Sequence, residues 1–188
     1  FLMPVLPYIT DTPEMIKKTL SDCKEVAIDY VIFGGLTLKP GIQREYYLNS
    51  IKNYFPHLVS TYENLYKDSS IYGEQDYKYS NMVNNIFNKI ATELKIPKRI
   101  PAYIFKNIVN KNDLVIIILE QLSYLLNLSG KKNNYSYAAY NLSKLTTDIS
   151  FLSDEELLKI GGVGDFTLKI IREIIQTGES PYYNSLLI

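Results

Sequence analysis

The sequence predicts a mainly α-helical protein with a short β-α-β unit at its front. Three observations indicate this fold class. Apolar residues recur at the three- and four-residue spacing of helix faces over most of the chain. Prolines and glycines divide the chain into helix-sized segments. Two apolar runs near the front, separated by one helical segment, are typical of buried strands.

The front of the chain predicts a strand, a helix and a second strand. Residues 2–9 are an apolar stretch with two prolines, which indicates a buried strand that continues into a loop. Residues 11–27 predict a helix that Asp11 or Thr12 can cap. One face of this helix carries Met15, Ile16, Leu20 and Cys23. Residues 28–35 predict a second buried strand. Because two strands make no stable sheet alone, we expect missing upstream strands, a partner chain or an atypical packing to cover them.

Between residues 43 and 108 the sequence predicts helices that are interrupted at prolines. These helices span residues 44–55, 57–67 and 76–96. The buried face of the last one carries Met82, Val83, Ile86, Ile90 and Leu94. We interpret the many tyrosines of this region as residues at the edge of the core with solvated hydroxyls, rather than as rings that stack on bases.

The last part of the chain predicts four helices. They span residues 113–128, 135–145, 153–160 and 165–177, with a loop at 131–134. Ser153 and Glu156 have the spacing of a capping box, and Gly178 occupies a C-cap position. The last helix turns Leu168, Ile171, Ile174 and Ile175 inward. The predicted regions of the whole chain are therefore residues 1–40, 41–110 and 111–188.

The composition excludes several kinds of site. Cys23 is the single cysteine, so this chain alone cannot build a disulfide, a thiolate zinc site or an iron–sulfur cluster. A reducing cytoplasm is the expected compartment. The longest apolar run, Leu114 to Leu119, is too short for a membrane span, and no signal peptide precedes it. Because the chain begins at Phe1 inside a predicted strand, we expect it to be part of a longer protein.

The charge of the chain is balanced overall but uneven along its length. The 20 Lys and Arg residues equal the 20 Asp and Glu residues, which argues against a strongly polyanion-binding chain. Residues 1–94 hold nine basic and eleven acidic residues, residues 95–172 eleven and seven, and residues 173–188 none and two. The excess positive charge therefore surrounds a glycine-rich hairpin at residues 161–164.

This hairpin, Gly161-Gly162-Val163-Gly164, lies between two predicted helices. A plain turn between helices needs one glycine. The two additional glycines suggest that another group, such as nucleic acid, approaches the backbone closely. Gly162 and Gly164 can adopt positive φ, and the helix that follows directs its free amides to the same place, where a phosphate fits. Lys169 lies one turn further along. The alternative is a helical corner that packs tightly and binds nothing.

The segment LLKIGGVG followed by DFTLKIIREII resembles the helix-hairpin-helix motif. The flanking segments YSYAAYNLSKLTTDISFLS and TGESPYYNSLL resemble the surroundings of that motif in the amino-terminal domain of family X DNA polymerases, over about residues 111–188. The resemblance implies that the hairpin binds DNA backbone phosphates without sequence specificity. The implied contacts are Gly162, Val163, Gly164 and Lys169, with help from Lys131, Lys132 and Lys159. A monovalent cation is implied on the backbone carbonyls of Leu158, Ile160 and Val163.

The sequence departs from this family at three positions. Ile170 stands where DNA polymerase beta has its Schiff-base lysine, so we expect no lyase activity. Leu168 stands where the family has a small residue, which implies looser contact between the helices. Asp165 could cap the second helix with its own carboxylate, which would weaken phosphate binding.

The segments MPVLPYITD, YVIFGGLTLKPG and YYLNSIKNYFPHLVSTYENLY resemble radical SAM proteins akin to spore photoproduct lyase, often called DNA repair photolyases. The resemblance covers about residues 1–110 and implies the last strands of a partial TIM barrel. Such enzymes cleave S-adenosylmethionine on a [4Fe–4S] cluster held by a CxxxCxxC loop. This chain has no such loop, so we expect it upstream of Phe1 and expect no cofactor in this chain alone. In such enzymes the adenosyl group of S-adenosylmethionine lies along the strand ends, so the resemblance implies an adenosyl site lined by Pro7, Gly34 and Gly35.

These resemblances predict the C-terminal part of a radical SAM, DNA-repair-related protein that ends in a DNA-binding module. Two alternatives stay open: a radical SAM enzyme that acts on RNA, and a non-enzymatic interaction domain whose hairpin only packs. No catalytic residue is predicted in this chain. His57 is interpreted as a surface residue, Glu155 and Glu156 as a solvated first turn, and Asp11 as a cap or a polar contact near the strand ends.

Overall fold

The computed structural model describes residues 1–188 and divides them into two compact units, Phe1–Arg99 and Ile100–Ile188. The protein is mainly helical, with one sheet of two parallel strands, which confirms the predicted fold class at this level. The elements are β1 (Leu2–Val5), α1 (Pro13–Glu25), β2 (Phe33–Gly35), α2 (Ile42–Tyr54), α3 (Val59–Leu65), α4 (Tyr77–Glu93), α5 (Lys111–Leu128), α6 (Tyr135–Leu142), α7 (Asp154–Leu158), α8 (Asp165–Thr177) and α9 (Pro181–Leu186). None of these helices combines the length and the apolar character that a membrane span requires.

The first unit begins with the predicted parallel β-α-β arrangement. Leu2 lies beside Phe33 and Val5 beside Gly35 in the two strands. Helix α1 connects them and is capped by the side chain of Thr12, one of the two predicted capping residues. Both strands are shorter than the predicted segments. The pairing ends at Val5 and Gly35, and the chain continues from each as a loop that leads to the next helix.

Two apolar clusters stabilise the first unit. One joins the strands to α1 and α4 through Ile16, Leu20, Val31, Val83, Phe87, Ile90, Ala91 and Ile96. The other lies around α2 and α3 and contains Leu38, Ile51, Tyr62, Leu65 and Tyr66. Met15 and Met82 are exposed, although the sequence analysis assigned them to buried faces. Each precedes the first buried residue of its helix by one position, which turns its side chain by about 100° away from the buried stripe.

The second unit is built around α5, which packs against α6, α8 and α9. Its core contains Leu114, Val115, Ile118, Leu119, Leu122, Ala138, Ala139, Leu142, Ile149, Leu157, Val163, Ile170, Ile171, Ile174, Tyr183 and Leu187. The capping box is confirmed, since Ser153 and Glu156 bond each other's backbone amides at 2.8 and 3.2 Å. Gly178 ends α8 in the left-handed conformation, as predicted, at φ 77°. Helix α9 was not predicted.

The structural boundary between the units differs from the predicted regions. Residues 1–40 and 41–99 belong to one compact unit, and residues 100–110 belong to the second. Ala102 explains the second difference, because it is fully buried in the core of the second unit. Its backbone N–H also donates to the Tyr183 hydroxyl at 2.9 Å. The segment before α5 is therefore part of the helical bundle.

Candidate nucleic-acid interface

The glycine hairpin, residues 161–164, joins α7 to α8 through a tight turn. The Ile160 amide donates to the Leu157 carbonyl at 3.0 Å, and the Val163 amide donates to the Ile160 carbonyl at 3.0 Å. The side chains of Leu157 and Val163 are both buried in the core of the unit. Val163 therefore anchors the hairpin, and its amide is already bonded within the protein, so it is not a free donor for a phosphate.

The three glycines of the hairpin have different surroundings, and only the first two are closely packed. A Cβ at Gly161 would stand 3.0 Å from the Tyr137 hydroxyl oxygen. A Cβ at Gly162 would stand 2.6 Å from the backbone nitrogen of Ala138, and Gly162 also has a positive φ of 90°. Gly164 has nothing within 4 Å of its Cβ position. The first two glycines thus let α6 approach, and the third leaves open space.

Gly164 is the N-cap of α8, and its conformation corrects a prediction. Its φ is −106° and its ψ −179°, which is extended backbone rather than the predicted positive φ. No side chain caps α8, and Asp165 is the first helical residue rather than the cap. The first amides of a helix have no partner inside the helix. The start of α8 therefore presents unpaired amides and the positive end of the helix dipole next to an exposed glycine.

Asn141 of α6 holds the hairpin from the other side. Its side-chain amide donates to the Gly161 carbonyl at 2.9 Å and to the Tyr137 carbonyl at 3.1 Å. The small residues in the middle of α6 allow this contact, since Ala138 and Ala139 are fully buried and have no long side chains to hold the hairpin away. The hairpin is thereby fixed to α6 by one side-chain clamp and by close backbone packing.

The predicted lysines are all exposed, but they are not equally placed. Lys169 lies one turn into α8, and its ammonium group is 4.0 Å from the Glu173 carboxylate. Lys159 is the C-cap of α7, directly before the hairpin. Lys131 and Lys132 lie in the loop before α6, and the extended length of five residues keeps Lys132 within roughly 18 Å of Tyr137 along the chain. Attraction between exposed charges is largely screened beyond about 10 Å at 0.1 M salt, so any contribution of these lysines to anion binding would depend on ionic strength.

The structural boundary changes the charge argument. Residues 100–188 hold eight Lys and Arg and nine Asp and Glu, a net charge of −1. The predicted excess of +4 included Lys95, Lys98 and Arg99, which belong to the first unit, and left out Glu173 and Glu179. Any attraction of the second unit for a polyanion must therefore be local rather than a property of its net charge.

No protein-family model, no curated protein and no solved structure matches this chain. The resemblances to radical SAM proteins and to the helix-hairpin-helix domain of family X DNA polymerases therefore stay predictions. The geometry of the two units is therefore the only basis for a proposed function.

The predicted cation site consists of the backbone carbonyls of Leu158, Ile160 and Val163. The Ile160 carbonyl already accepts the Val163 amide at 3.0 Å, which leaves it one lone pair. No group of three or more His, Cys, Asp or Glu residues able to hold a metal ion occurs in the structure. A cation at the hairpin would thus depend on neutral carbonyl oxygens alone, which suits a weakly bound monovalent ion better than a divalent one.

The second predicted site, at the strand ends, is filled by the protein's own side chains. A Cβ at Gly34 would stand 2.6 Å from the end of the Met3 side chain, and one at Gly35 3.0 Å from the Gln75 amide nitrogen. The buried Pro7 carbonyl accepts the Tyr62 hydroxyl at 2.7 Å. The cavity at this edge measures about 10 Å³, which is no more than the space for one water molecule. The residues present do not fit an adenosyl group.

A cluster of tyrosines closes these strand ends, and we name Tyr62, Tyr66 and Tyr79 the strand-end tyrosines. The Tyr66 hydroxyl donates to the Leu36 carbonyl at 2.8 Å, and the Tyr79 hydroxyl donates to the buried carboxylate of Asp11. Burial raises the pKa of all three hydroxyls well above the usual range, so they are neutral donors. Their predicted solvated position is wrong for Tyr62 and Tyr66, which are fully buried.

Two residues that contact the hairpin, Asn141 and Tyr137, were not predicted from the sequence. The available signal was the small-residue pair in α6, which indicated a close neighbour but not which segment it would be. Asn141 lies one turn after Tyr137 on α6, so the two side chains share a face. Only the packing of α6 on the hairpin brings this face next to the glycines.

Proposed function

We propose that the second unit binds nucleic-acid backbone phosphates without sequence specificity, as the helix-hairpin-helix module of a radical SAM, DNA-repair-related protein. The phosphate would lie at the start of α8, against the amides that follow Gly164. Lys169 and Lys159 would add charge contacts on either side, and Lys131 and Lys132 more distant ones. The buried and internally bonded Val163 would hold the turn in place rather than touch the ligand.

The observation that supports this proposal most is the open, uncapped start of α8. In the same unit α5, α7 and α9 are each capped by a side chain, from Asn110, Ser153 and Ser180, whereas the eight-residue α6, like α8, has no side-chain cap. A helix of 13 residues that begins at an exposed glycine leaves its first amides for an external acceptor. A phosphate oxygen is the acceptor that the helix dipole favours.

A second candidate function is an interaction domain whose hairpin only packs. The close approach of Gly162 to Ala138 and the net charge of −1 favour it. Under this alternative Gly161 and Gly162 serve the contact with α6, and the start of α8 stays solvated. The two candidates differ at Gly164, which has open space around it. The first places a phosphate in this space, and the second leaves it to solvent.

The proposed origin of the first unit is the closing part of a radical SAM barrel, and the parallel β-α-β arrangement supports it. The cluster chemistry does not fit this chain, since Cys23 is the single thiol and three thiolates are required. We therefore assign no chemical step to these 188 residues. After anaerobic reconstitution with iron and sulfide we expect no visible absorbance band and no cleavage of S-adenosylmethionine, and about four irons per chain would contradict this.

A titration of the whole chain with labelled duplex DNA and with structured RNA of equal length, at two salt concentrations, tests phosphate binding. With two or three phosphates neutralised, the logarithm of affinity should fall with the logarithm of salt with a slope of about −2 to −3. Gly164→Val should abolish binding, because its side chain would stand in front of the amides while its extended backbone remains allowed. Lys169→Ala should reduce the slope by about one unit, whereas Lys52→Ala, an exposed lysine of the first unit, should not.

The outcomes separate the candidates. Binding that Gly164→Val removes, with an unchanged thermal unfolding transition, supports the phosphate site. Tighter binding to structured RNA than to duplex DNA would move the proposal to an RNA substrate. The absence of binding at low salt would overturn it and leave the interaction domain.

A further inference from the structure

One segment of the second unit differs in charge from the unit as a whole. Residues 131–147 contain three lysines and no acidic residue, although the unit carries a net charge of −1. The lysines are Lys131, Lys132 and Lys144. The same segment contains three tyrosines, and its helix α6 contacts the glycine hairpin. Positive charge combined with aromatic rings is typical of surfaces that bind single-stranded nucleic acid.

Two of these tyrosines are exposed, and we name Tyr137 and Tyr140 the α6 tyrosines. Tyr137 is 57% exposed and Tyr140 59% exposed. They are three positions apart in α6, so they lie on neighbouring parts of one helix face. Tyr135 is different, because it is half-buried against the core and burial raises its pKa. The exposed pair is not used by the fold in the way that the buried tyrosines are.

Each α6 tyrosine has one side fixed by the protein. The ring and hydroxyl of Tyr137 lie against the hairpin, where a Cβ at Gly161 or Gly162 would stand 3.0 to 3.1 Å from them. The ammonium group of Lys144 lies 3.8 Å from the ring centroid of Tyr140. A ring held in this way loses little conformational entropy when a second flat group stacks on its free side. The lysine also places a positive charge where a phosphate would follow the stacked base.

We infer that the α6 tyrosines stack on the bases of unpaired nucleotides whose phosphates lie at the glycine hairpin, so that the second unit prefers single-stranded to duplex nucleic acid. This inference rests on the proposed function. It identifies the form of nucleic acid, because the bases of a duplex already stack on each other and offer no free face. A protein partner is the weaker match, since the α6 tyrosines are flanked in the sequence by lysines on both sides of α6, and residues 131–147 have no large aliphatic residue that is exposed.

The test uses the 188-residue chain and a fluorescently labelled thymidine strand of about 12 nucleotides, within the range that one module covers. A duplex of the same length is the second probe, and fluorescence anisotropy reports binding. The variants are Tyr140→Ala, the double change Tyr137→Ala with Tyr140→Ala, and the double change of both residues to Phe. Tyr46→Ala, an exposed tyrosine of the first unit, is the matched control.

We expect the double alanine variant to lower the affinity for the single strand about tenfold or more, since stacking on one ring is worth roughly that factor. Tyr140→Ala, which does not touch the hairpin, should give part of this loss and keeps the test valid if Tyr137→Ala unfolds the unit. The phenylalanine variant should retain the affinity because it keeps both rings. Duplex affinity and the salt slope should not change.

Equal wild-type affinity for single strand and duplex, or alanine variants that keep the single-strand affinity, would overturn the stacking inference. If Gly164→Val still abolishes binding in that case, the phosphate site stands without the tyrosines. If the tyrosine variants lose affinity while Gly164→Val does not, the stacking surface stands and the phosphate site at α8 is wrong. If the wild type binds neither probe, both proposals fail.

Discussion

Glycines and tyrosines lie together in both units of this protein, at the strand ends of the first and at the hairpin of the second. In the first unit the hydroxyls of Tyr62 and Tyr66 bond backbone carbonyls, and the remaining cavity is about 10 Å³. In the second unit Tyr137 and Tyr140 are more than half exposed, and Gly164 has nothing within 4 Å of its Cβ position. The same residue types thus close one place and leave the other open.

The difference teaches which of these residues serve stability. A buried hydroxyl that bonds a buried carbonyl cannot be removed without leaving that carbonyl unpaired. The groups around an exposed hydroxyl can bond water instead, so its removal leaves no buried partner unpaired. We therefore expect substitutions at the strand ends to change the free energy of unfolding, and the matching substitutions at the hairpin to leave it nearly unchanged.

The largest expected contrast is between Gly73→Ala and Gly164→Ala. Gly73 has a φ of 71°, and its Cβ would stand 2.1 Å from the backbone carbonyl carbon of Leu38. The strain and the overlap together should lower the free energy of unfolding by roughly 2 to 5 kcal/mol. Gly164→Ala should change it by no more than about 1 kcal/mol, because the extended backbone accepts alanine while alanine is a poorer N-cap than glycine, and the two effects oppose each other. Urea unfolding of both variants measures this, and equal changes would show that the two regions are not different.

A smaller contrast is expected between Tyr62→Phe and Tyr137→Phe. Tyr62 is fully buried, and its hydroxyl donates to the Pro7 carbonyl at 2.7 Å and contacts the Tyr47 hydroxyl at 3.2 Å. Its removal should lower the free energy of unfolding by about 1 to 3 kcal/mol. Tyr137→Phe should change it by less than about 0.5 kcal/mol. A loss at Tyr137 as large as that at Tyr62 would contradict the comparison.

The smallest expected effect is a fall in stability at alkaline pH. Burial raises the pKa of Tyr62 and Tyr66 above the usual value near 10, so both stay neutral in the folded protein while they ionise in the unfolded chain. Their contribution is complete below pH 10 and is lost as pH rises above it. At pH 10 each should lower the free energy of unfolding by roughly 0.4 kcal/mol. Urea unfolding at about pH 8 and pH 10 measures the loss, which the double change to Phe should reduce; a wild type more stable at pH 10 would contradict the sign.

Local features were predictable where their cause is local. Thr12 and the pair Ser153 and Glu156 cap helices because their side chains reach amides two or three positions away. Gly178 ends α8 because its own backbone takes the left-handed conformation. Such interactions depend on sequence neighbours, so the sequence contains the information that determines them.

The unit boundary could not be predicted in this way. Pro97 and Pro101 separate residues 102–110 from the preceding helix, but no local feature shows which unit they join, and Ala102 bonds Tyr183 across 81 positions. The net charge of the second unit depended on this boundary, and the predicted positive excess disappeared with it. The attraction of a unit for a polyanion depends on which charged residues share its surface, and only packing decides which residues those are.

The sequence by itself determined all the helices but α9, several of their caps and the parallel β-α-β unit, because hydrophobic periodicity and turn chemistry act over a few residues. Tertiary structure alone decided what the hairpin glycines and the tyrosines do. Gly162 and Gly164 are two positions apart, but α6 packs on the first and leaves the second open. Tyr62 and Tyr137 have the same side chain, but only Tyr62 lies beside a buried carbonyl. Long-range packing sets the distance from each group to its partner, and no local pattern contains that distance.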